Sequence, residues 1–143
     1  WGQSFPEKYF WGHVTGFKNS SIRIQFAKGY PKWLFWNIPV YIGFIKINDE
    51  IHRCKSRQTS KMALINVGQH EFFVKNKQWE INIIFEHGES FELRAPQNGQ
   101  LKDEIREYVG SKAVVTVYKC SRTRKEKLVA EEVVYGTTLE HRL

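Results

Sequence analysis

The sequence predicts a mainly β protein with one short helix. Three observations support this prediction: apolar and polar residues alternate over most of the chain, glycines and prolines punctuate the alternating runs, and helical spacing occurs in one segment only. The composition, with 41% hydrophobic and 26% charged residues, is typical of a globular protein. At 143 residues the chain is long enough for a real core, and one domain is the default expectation.

The first third of the chain contains three predicted strands, at residues 9–17, 21–27 and 38–47. Residues 9–17 and 21–27 alternate in the manner of an antiparallel hairpin with one solvated face. Residues 38–47 are nearly all apolar and rich in β-branched side chains, which favours a central strand. Residues 48–61 are polar and basic without a clear period, and they predict a connection.

The rest of the chain continues as strands around one helix. The predicted strands are 61–67, 71–75, 79–86, 90–95, 113–120 and 128–135. The helix is predicted over residues 100–109, where Leu101, Ile105 and Tyr108 recur at helical spacing. Gly110 follows directly and favours the left-handed conformation that caps a helix C-terminus.

The order of elements from residue 62 to residue 135 is three strands, one helix and two strands. That order resembles the OB-fold, a five-stranded barrel with a helix between its third and fourth strands. The resemblance implies an antiparallel, OB-like barrel with additional N-terminal strands. We therefore expect residues 1–143 to form a single domain; the alternative is a basic, aromatic-rich β extension (1–61) packed on an OB-like barrel (62–143).

The excess positive charge of the chain lies in residues 1–62. This segment holds ten Lys/Arg against three Asp/Glu, whereas the other 81 residues hold twelve of each. Thirteen of the 21 aromatic residues also fall in residues 1–62. Cations attract phosphates and exposed rings stack on bases, so this half is a candidate nucleic-acid-binding surface. The alternative is that the rings form the core and the charges only keep the protein soluble.

Three segments supply candidate binding residues. The polar connection carries alternating cations, and the tip of the last hairpin carries a second cationic cluster that could equally be a solvated turn. Residues 30–36 are dense in rings that could stack on bases, lie in the core, or dock another protein. The candidate nucleic-acid-binding residues are Arg53, Lys55, Arg57, Lys61, Lys28, Lys32, Trp33, Trp36, Trp11, Arg122, Arg124 and Lys125.

These patterns predict a non-catalytic module that binds single-stranded DNA or RNA. The alternative is a protein–protein interaction domain of a larger assembly, docking through the aromatic residues 30–36. No phosphate-binding glycine loop and no nucleophile paired with a base occurs, and we expect neither a metal nor another cofactor. Glu86 and Glu89 leave a metal-dependent nuclease as a distant third hypothesis.

The remaining signals concern cellular context. Cys54 and Cys120 do not make a disulfide framework, which favours a reducing, intracellular compartment, nuclear or cytoplasmic. The longest apolar run, residues 38–45, is far shorter than the roughly 20 residues of a membrane-spanning helix, and no signal peptide precedes it. No membrane partner is therefore expected. The chain begins at Trp1 without an initiator methionine, which suggests a domain of a longer protein.

Overall fold

The computed structural model describes residues 6, 8–18, 21–33, 36–56, 61–66, 70–86, 88–97, 100–121 and 124–142. Within these ranges every regular element is a β-strand, and no helix long and apolar enough to cross a membrane is found. The strands are β1 (Tyr9–Val14), β2 (Arg23–Gly29), β3 (Lys32–Trp33), β4 (Trp36–Asn37), β5 (Val40–Ile47), β6 (Glu50–Lys55), β7 (Lys61–Asn66), β8 (Glu71–Lys75), β9 (Trp79–Glu86), β10 (Glu89–Gln97), β11 (Gln100–Ser121) and β12 (Arg124–Arg142).

Ten of these strands form one antiparallel sheet that curls into a half-barrel. Its order is β6-β5-β2-β1-β12-β11-β9-β8-β7, with β10 paired to the first half of β11, while β3 and β4 form a separate small hairpin. Strands far apart in this order meet across the interior: the rings of Phe26 on β2 and Phe72 on β8 have centroids 5.2 Å apart. The first and last strands of the chain, β1 and β12, pair in the middle of the sheet.

The connection between β6 and β7 explains why the sheet curls. These two strands are the opposite edges of the sheet, yet only residues 56–60 join them. A chain of that length spans at most about 20 Å, so the two edges must approach each other. No pairing between β6 and β7 is found in the described part of the chain, and the barrel remains open there. The predictions of a mainly β class and a barrel-like antiparallel sheet are confirmed.

The predicted helix at residues 100–109 is wrong. These residues form the first half of β11, which pairs with β10 on one edge and, from Arg106 onward, with β12 on the other. Ile105 and Tyr108 do not share a face: Ile105 packs with Tyr9 and Leu93 in a small separate cluster, whereas Tyr108 enters the main core. Helical spacing placed both residues on one side, but pairing with distant strands overrides a weak local preference.

Gly110 has the left-handed backbone predicted for it, but in a different setting. Its φ is 65°, and Gly136 on the neighbouring strand has a φ of 72°. The register of β11 and β12 shifts on both sides of Ser111, so each glycine lies at a bulge in the long two-stranded ribbon. The ribbon is thereby bent where β11 changes partner from β10 to β9.

A strand was also missed in the polar segment 48–61. Residues 50–55 form β6, which pairs with β5 through the directly opposed residues Ile47 and Glu50. Asn48, one of the two residues between them, has a φ of 54°, a conformation that asparagine tolerates in tight hairpin turns. An edge strand needs only one buried position in two, and here Cys54 is buried while its neighbours Arg53 and Lys55 are exposed.

The main core lies inside the curl and joins both halves of the chain. Its largest fully buried side chains are Phe10, Phe26, Phe72, Ile24, Ile45, Ile81, Ile83, Leu139, Val14, Val74, Val115 and Val117. Gly12 belongs to this packing, because a Cβ added there would lie 2.3 Å from Cζ of Phe26. The missing side chain of Gly12 therefore lets a core ring approach the backbone closely.

Candidate nucleic-acid interface

The outward side of strands β2, β5 and β6 is strongly basic. Along each strand alternate residues face the core, such as Ile24, Ile45 and Cys54, so the intervening residues point away from it. We call the outward set the basic face. Its members are Arg23, Gln25, Ile42, Phe44, Lys46, Ile51, Arg53 and Lys55.

Strand register arranges the basic face in cross-strand rows. The central row runs Arg53, Phe44, Gln25 and then His13 of β1. Neighbours in such a row have Cβ atoms about 4.5–5.5 Å apart. Parallel rows along each strand follow at about 6.6 Å, two residues of rise. One flanking row begins with Lys55, and the other contains Lys46 beside Arg23.

Most cations of the basic face form no ion pair with the described residues. Arg23, Arg53 and Lys55 are exposed, and among the described residues no acidic side chain lies within ion-pair distance of them. Lys46 pairs with Asp49 at 3.6 Å, but both groups are solvent-exposed, so this pair contributes little. The face therefore presents charge that is available to an anionic partner.

Apolar side chains lie among these cations. Phe44 is half-buried between Arg53 and Gln25 in the central row. Ile42 and Ile51 are 43% and 63% exposed in the flanking rows. A ring at the centre of a cationic surface provides a flat contact for a base while the surrounding charges contact phosphates.

The basic face ends at an acidic margin near β1. Trp11 lies directly opposite Glu140 of β12, and Glu140 lies opposite Glu107 of β11. The Tyr9 hydroxyl donates a 2.5 Å hydrogen bond to Glu140 Oε1. Burial, reinforced by this hydrogen bond, raises the pKa of Tyr9 well above its ordinary value. These carboxylates disfavour a phosphate close to Trp11, whose indole lies 6.2 Å from the His13 ring.

Three of the predicted site residues fall on this side of the sheet. Arg53 and Lys55 belong to the basic face, and Trp11 lies at its acidic margin. Lys28 does not join them: it shares the side of β2 that carries Phe26, and its Nζ lies 5.2 Å from the ring centroid of Tyr30. The structure thus separates Lys28 from the other described candidates.

The other candidates lie at least partly outside what the structure describes. Arg57 and Arg122 lie outside the described residues. For Lys32, Trp33, Trp36, Lys61, Arg124 and Lys125 the backbone is described but the side chains are not. Arg124 begins β12, fourteen residues before Thr138, the partner of His13. That is on the order of 45 Å along β12, but the curl of the sheet shortens the distance in space. The ring of Trp79, which lies opposite Lys119 near the hairpin tip, is 5.4 Å from the ring of His52 on β6, so this end of the hairpin lies across the interior from β6.

Sequence reasoning missed Arg23, Lys46 and Phe44. The signal for Arg23 was present, because alternation already put it on the polar side of its strand. Phe44 and Lys46 were not recognised in residues 38–47, which we interpreted as a central, nearly all apolar strand. The exposure of Ile42 and the partial exposure of Phe44 and Lys46 show that this side of β5 is open.

No family model, curated protein sequence or solved structure matches this chain. Within the described residues, no group of three or more His, Cys, Asp or Glu could hold a metal ion. Glu86 of the nuclease hypothesis is ion-paired instead, its Oε2 lying 2.6 Å from Nζ of Lys112.

Proposed function

We propose that this domain binds single-stranded nucleic acid across the basic face and catalyses no reaction. The observation that supports this most directly is the set of three exposed cations, Arg23, Arg53 and Lys55, around the ring of Phe44. Their charge is not neutralised by described carboxylates, so the release of counterions from a bound phosphate backbone would favour binding.

A single strand fits this face better than a duplex. Phe44 and the exposed Ile42 offer apolar contacts that an unstacked base can use and a paired base cannot. In the direction across the strands, the basic face covers β2, β5 and β6, a width of about 10 Å. The acidic margin at Glu140 bounds it on one side, so a bound strand would run near the β5–β6 edge.

The test compares two pairs of substitutions that remove the same charge. Arg53→Gln with Lys55→Gln removes two cations from the basic face, and Arg106→Gln with Lys77→Gln removes two exposed cations elsewhere. Fluorescent single-stranded DNA, single-stranded RNA and duplex DNA are titrated with each protein over a range of salt concentrations. We expect single strands to bind best, with an affinity that falls as salt rises.

The first pair should make the negative slope of log affinity against log salt shallower by about 1.4, which corresponds to two lost phosphate contacts on a single strand. The control pair should leave the slope unchanged. Equal losses for both pairs would mean that only net charge matters, and no binding at low salt would exclude the proposal. In that case the protein-docking alternative through residues 30–36 becomes the leading hypothesis.

A further inference from the structure

Strand β10 forms an open edge of the sheet. It pairs with β11 along its whole length, from Glu89 to Gln97, and no described strand pairs with its other side. The one register shift leaves the additional residue, Glu104, on β11, so β10 itself is a continuous strand of nine residues. Residues 89–92 are all exposed. The N–H and C=O groups along such a regular edge are a template for a further strand.

The hairpin turn determines which residues of β10 direct their backbone groups to the open side. Only two residues separate Gln97 from Gln100, and the pair that flanks a turn of this length exchanges both of its hydrogen bonds. Hydrogen-bonded and non-hydrogen-bonded positions then alternate along the strand. Residues 90, 92 and 94 therefore direct their N–H and C=O groups away from β11. Pro96 falls in the same set, where its missing N–H costs the hairpin no hydrogen bond.

We propose that two copies of this chain pair antiparallel through their β10 edges, with Leu93 on the two-fold axis. In this register Glu92 of each copy lies opposite Arg94 of the other, and both residues direct their backbone groups across the junction. The two neighbouring hydrogen-bonded registers place Glu92 opposite Glu92, or Arg94 opposite Arg94. Like charges directly opposite each other destabilise a strand pair. The charges of β10 thus favour one register and a second copy of the same strand as the partner.

The contact that Glu92 makes within its own chain is compatible with this pairing. One carboxylate oxygen of Glu92 lies 3.8 Å from Arg106, and both side chains are more than half exposed, so this ion pair contributes little. A carboxylate has two oxygens with several acceptor positions. Glu92 can therefore contact Arg106 of its own copy and Arg94 of the other copy together.

Strand pairing would also cover apolar surface on the outer side of the sheet. Phe91 is 50% exposed, and Leu93 is partly buried against Ile105. Phe91 and Leu93 are two residues apart and therefore share a face of β10. In the proposed register the two Leu93 side chains lie directly opposite each other, and each is diagonal to Phe91 of the other copy. The same edge is used by both copies, so the assembly is a closed, isologous dimer.

The first test is the mass of the protein in solution, measured by analytical ultracentrifugation over the micromolar to millimolar range without nucleic acid. We expect the mass to rise from 16.9 kDa towards twice that value. Glu92→Arg places like charges opposite each other and should weaken association about tenfold. Adding Arg94→Glu to this variant restores opposite charges and should restore the association. Glu131→Arg makes the same change of charge at an exposed position of β12 and should leave association unchanged.

A cysteine at position 93 tests the register. Leu93→Cys places two thiols across a non-hydrogen-bonded pair, whose Cα atoms lie about 4.5 Å apart, within the range of a disulfide. The native Cys54 and Cys120 are buried. Mild oxidation should therefore produce a covalent dimer of the variant. Leu101→Cys, at a 67% exposed position of the other strand of the hairpin, is the control and should cross-link far more slowly.

Several results would overturn the proposal. A constant mass of 16.9 kDa at every concentration would exclude association, and assemblies larger than a dimer would exclude a closed pair. An equal loss in Glu131→Arg, no recovery in the double charge exchange, or equal cross-linking of the two cysteine variants would exclude this edge and register. Circular dichroism and thermal melting verify that each variant is folded, and the charge variants change exposed side chains only. Because nucleic acid is left out, the result is independent of the proposed function.

Discussion

The Tyr9 hydroxyl donates a hydrogen bond to Glu140 Oε1 across 131 residues of sequence, at 2.5 Å. This contact joins β1 to β12 on the outer side of the sheet. Tyr9 also packs there with Ile105 and the partly buried Leu93, in a cluster separate from the main core. The two ends of the chain are thus held together by a polar contact and a small apolar cluster in addition to strand pairing.

Removing the Tyr9 hydroxyl should destabilise the fold. A hydrogen bond to a charged acceptor contributes about 1.5–3 kcal/mol. We expect Tyr9→Phe to lower the free energy of unfolding by an amount in that range. Urea unfolding followed by tryptophan fluorescence measures the free energy of unfolding. Tyr135→Phe removes the hydroxyl of a residue that is 65% exposed and serves as the control, with an expected change below about 0.5 kcal/mol. Equal effects of the two substitutions would contradict the contact.

The stability of the protein should fall at alkaline pH partly because of Tyr9. Burial, and then the hydrogen bond to Glu140, raise the pKa of Tyr9 above its ordinary value of 10.0. Above that pH the unfolded chain releases a proton that the folded protein retains. The stabilisation is therefore complete below about pH 10 and declines as the pH rises further. Unfolding free energies at about pH 8 and about pH 11 should differ less in Tyr9→Phe than in the parent protein.

Gly12→Ala should disturb the core. The new methyl group would lie 2.3 Å from Cζ of Phe26, so the ring must move. Overpacking of this kind typically costs about 1–3 kcal/mol. Phe26→Leu removes the colliding ring atoms, so the double variant should lose less stability than the sum of the two single variants. Additive losses in this double-mutant cycle would show that the two residues do not touch.

Substitutions at Leu101 and Ile105 separate the strand from the predicted helix. A helix would bury both residues on one face, but in the structure Leu101 is 67% exposed and Ile105 is 5% exposed. We expect Leu101→Ala to change the free energy of unfolding by less than about 0.5 kcal/mol. Ile105→Ala should cost about 2–4 kcal/mol because it leaves a cavity beside Tyr9. Similar costs at both positions would favour the helix instead.

Phe44 should contribute more to nucleic-acid affinity than Trp11. Phe44 lies beside Arg53, whereas Trp11 lies beside Glu140 at the acidic margin. Loss of a stacking ring costs about 1–3 kcal/mol, so Phe44→Ala should weaken binding of single strands about tenfold with little change in the salt dependence. Phe91→Ala, which truncates a half-exposed phenylalanine on β10, is the control. A larger loss for Trp11→Ala would move the binding surface towards β12.

Several strands could be predicted because their buried apolar residues recur at every second position. Residues 71–75 and 79–86 have the predicted bounds, since each has one buried side and ends at a polar turn. The helix at 100–109 could not be excluded in the same way, because Ile105 and Tyr108 are buried on opposite faces of β11 and so recur three residues apart, as on a helix. The dipeptide Asn98-Gly99, which separates the directly paired Gln97 and Gln100, was the available signal for a hairpin.

The sequence by itself determined the β class, the apolar faces of most strands and the concentration of positive charge in residues 1–62, because these are properties of local pattern and composition. Only the tertiary structure decided which of those charges act together. Arg53 of β6 and Arg23 of β2 become neighbours of the same surface through the pairing of β5 with both strands. The pairing of β1 with β12 places Glu140 beside Trp11, and its pairing with β2 places Lys28 opposite the buried Phe10, on the other side of the sheet. Register over long sequence distances is set by burial of the shared core, which no short segment encodes alone.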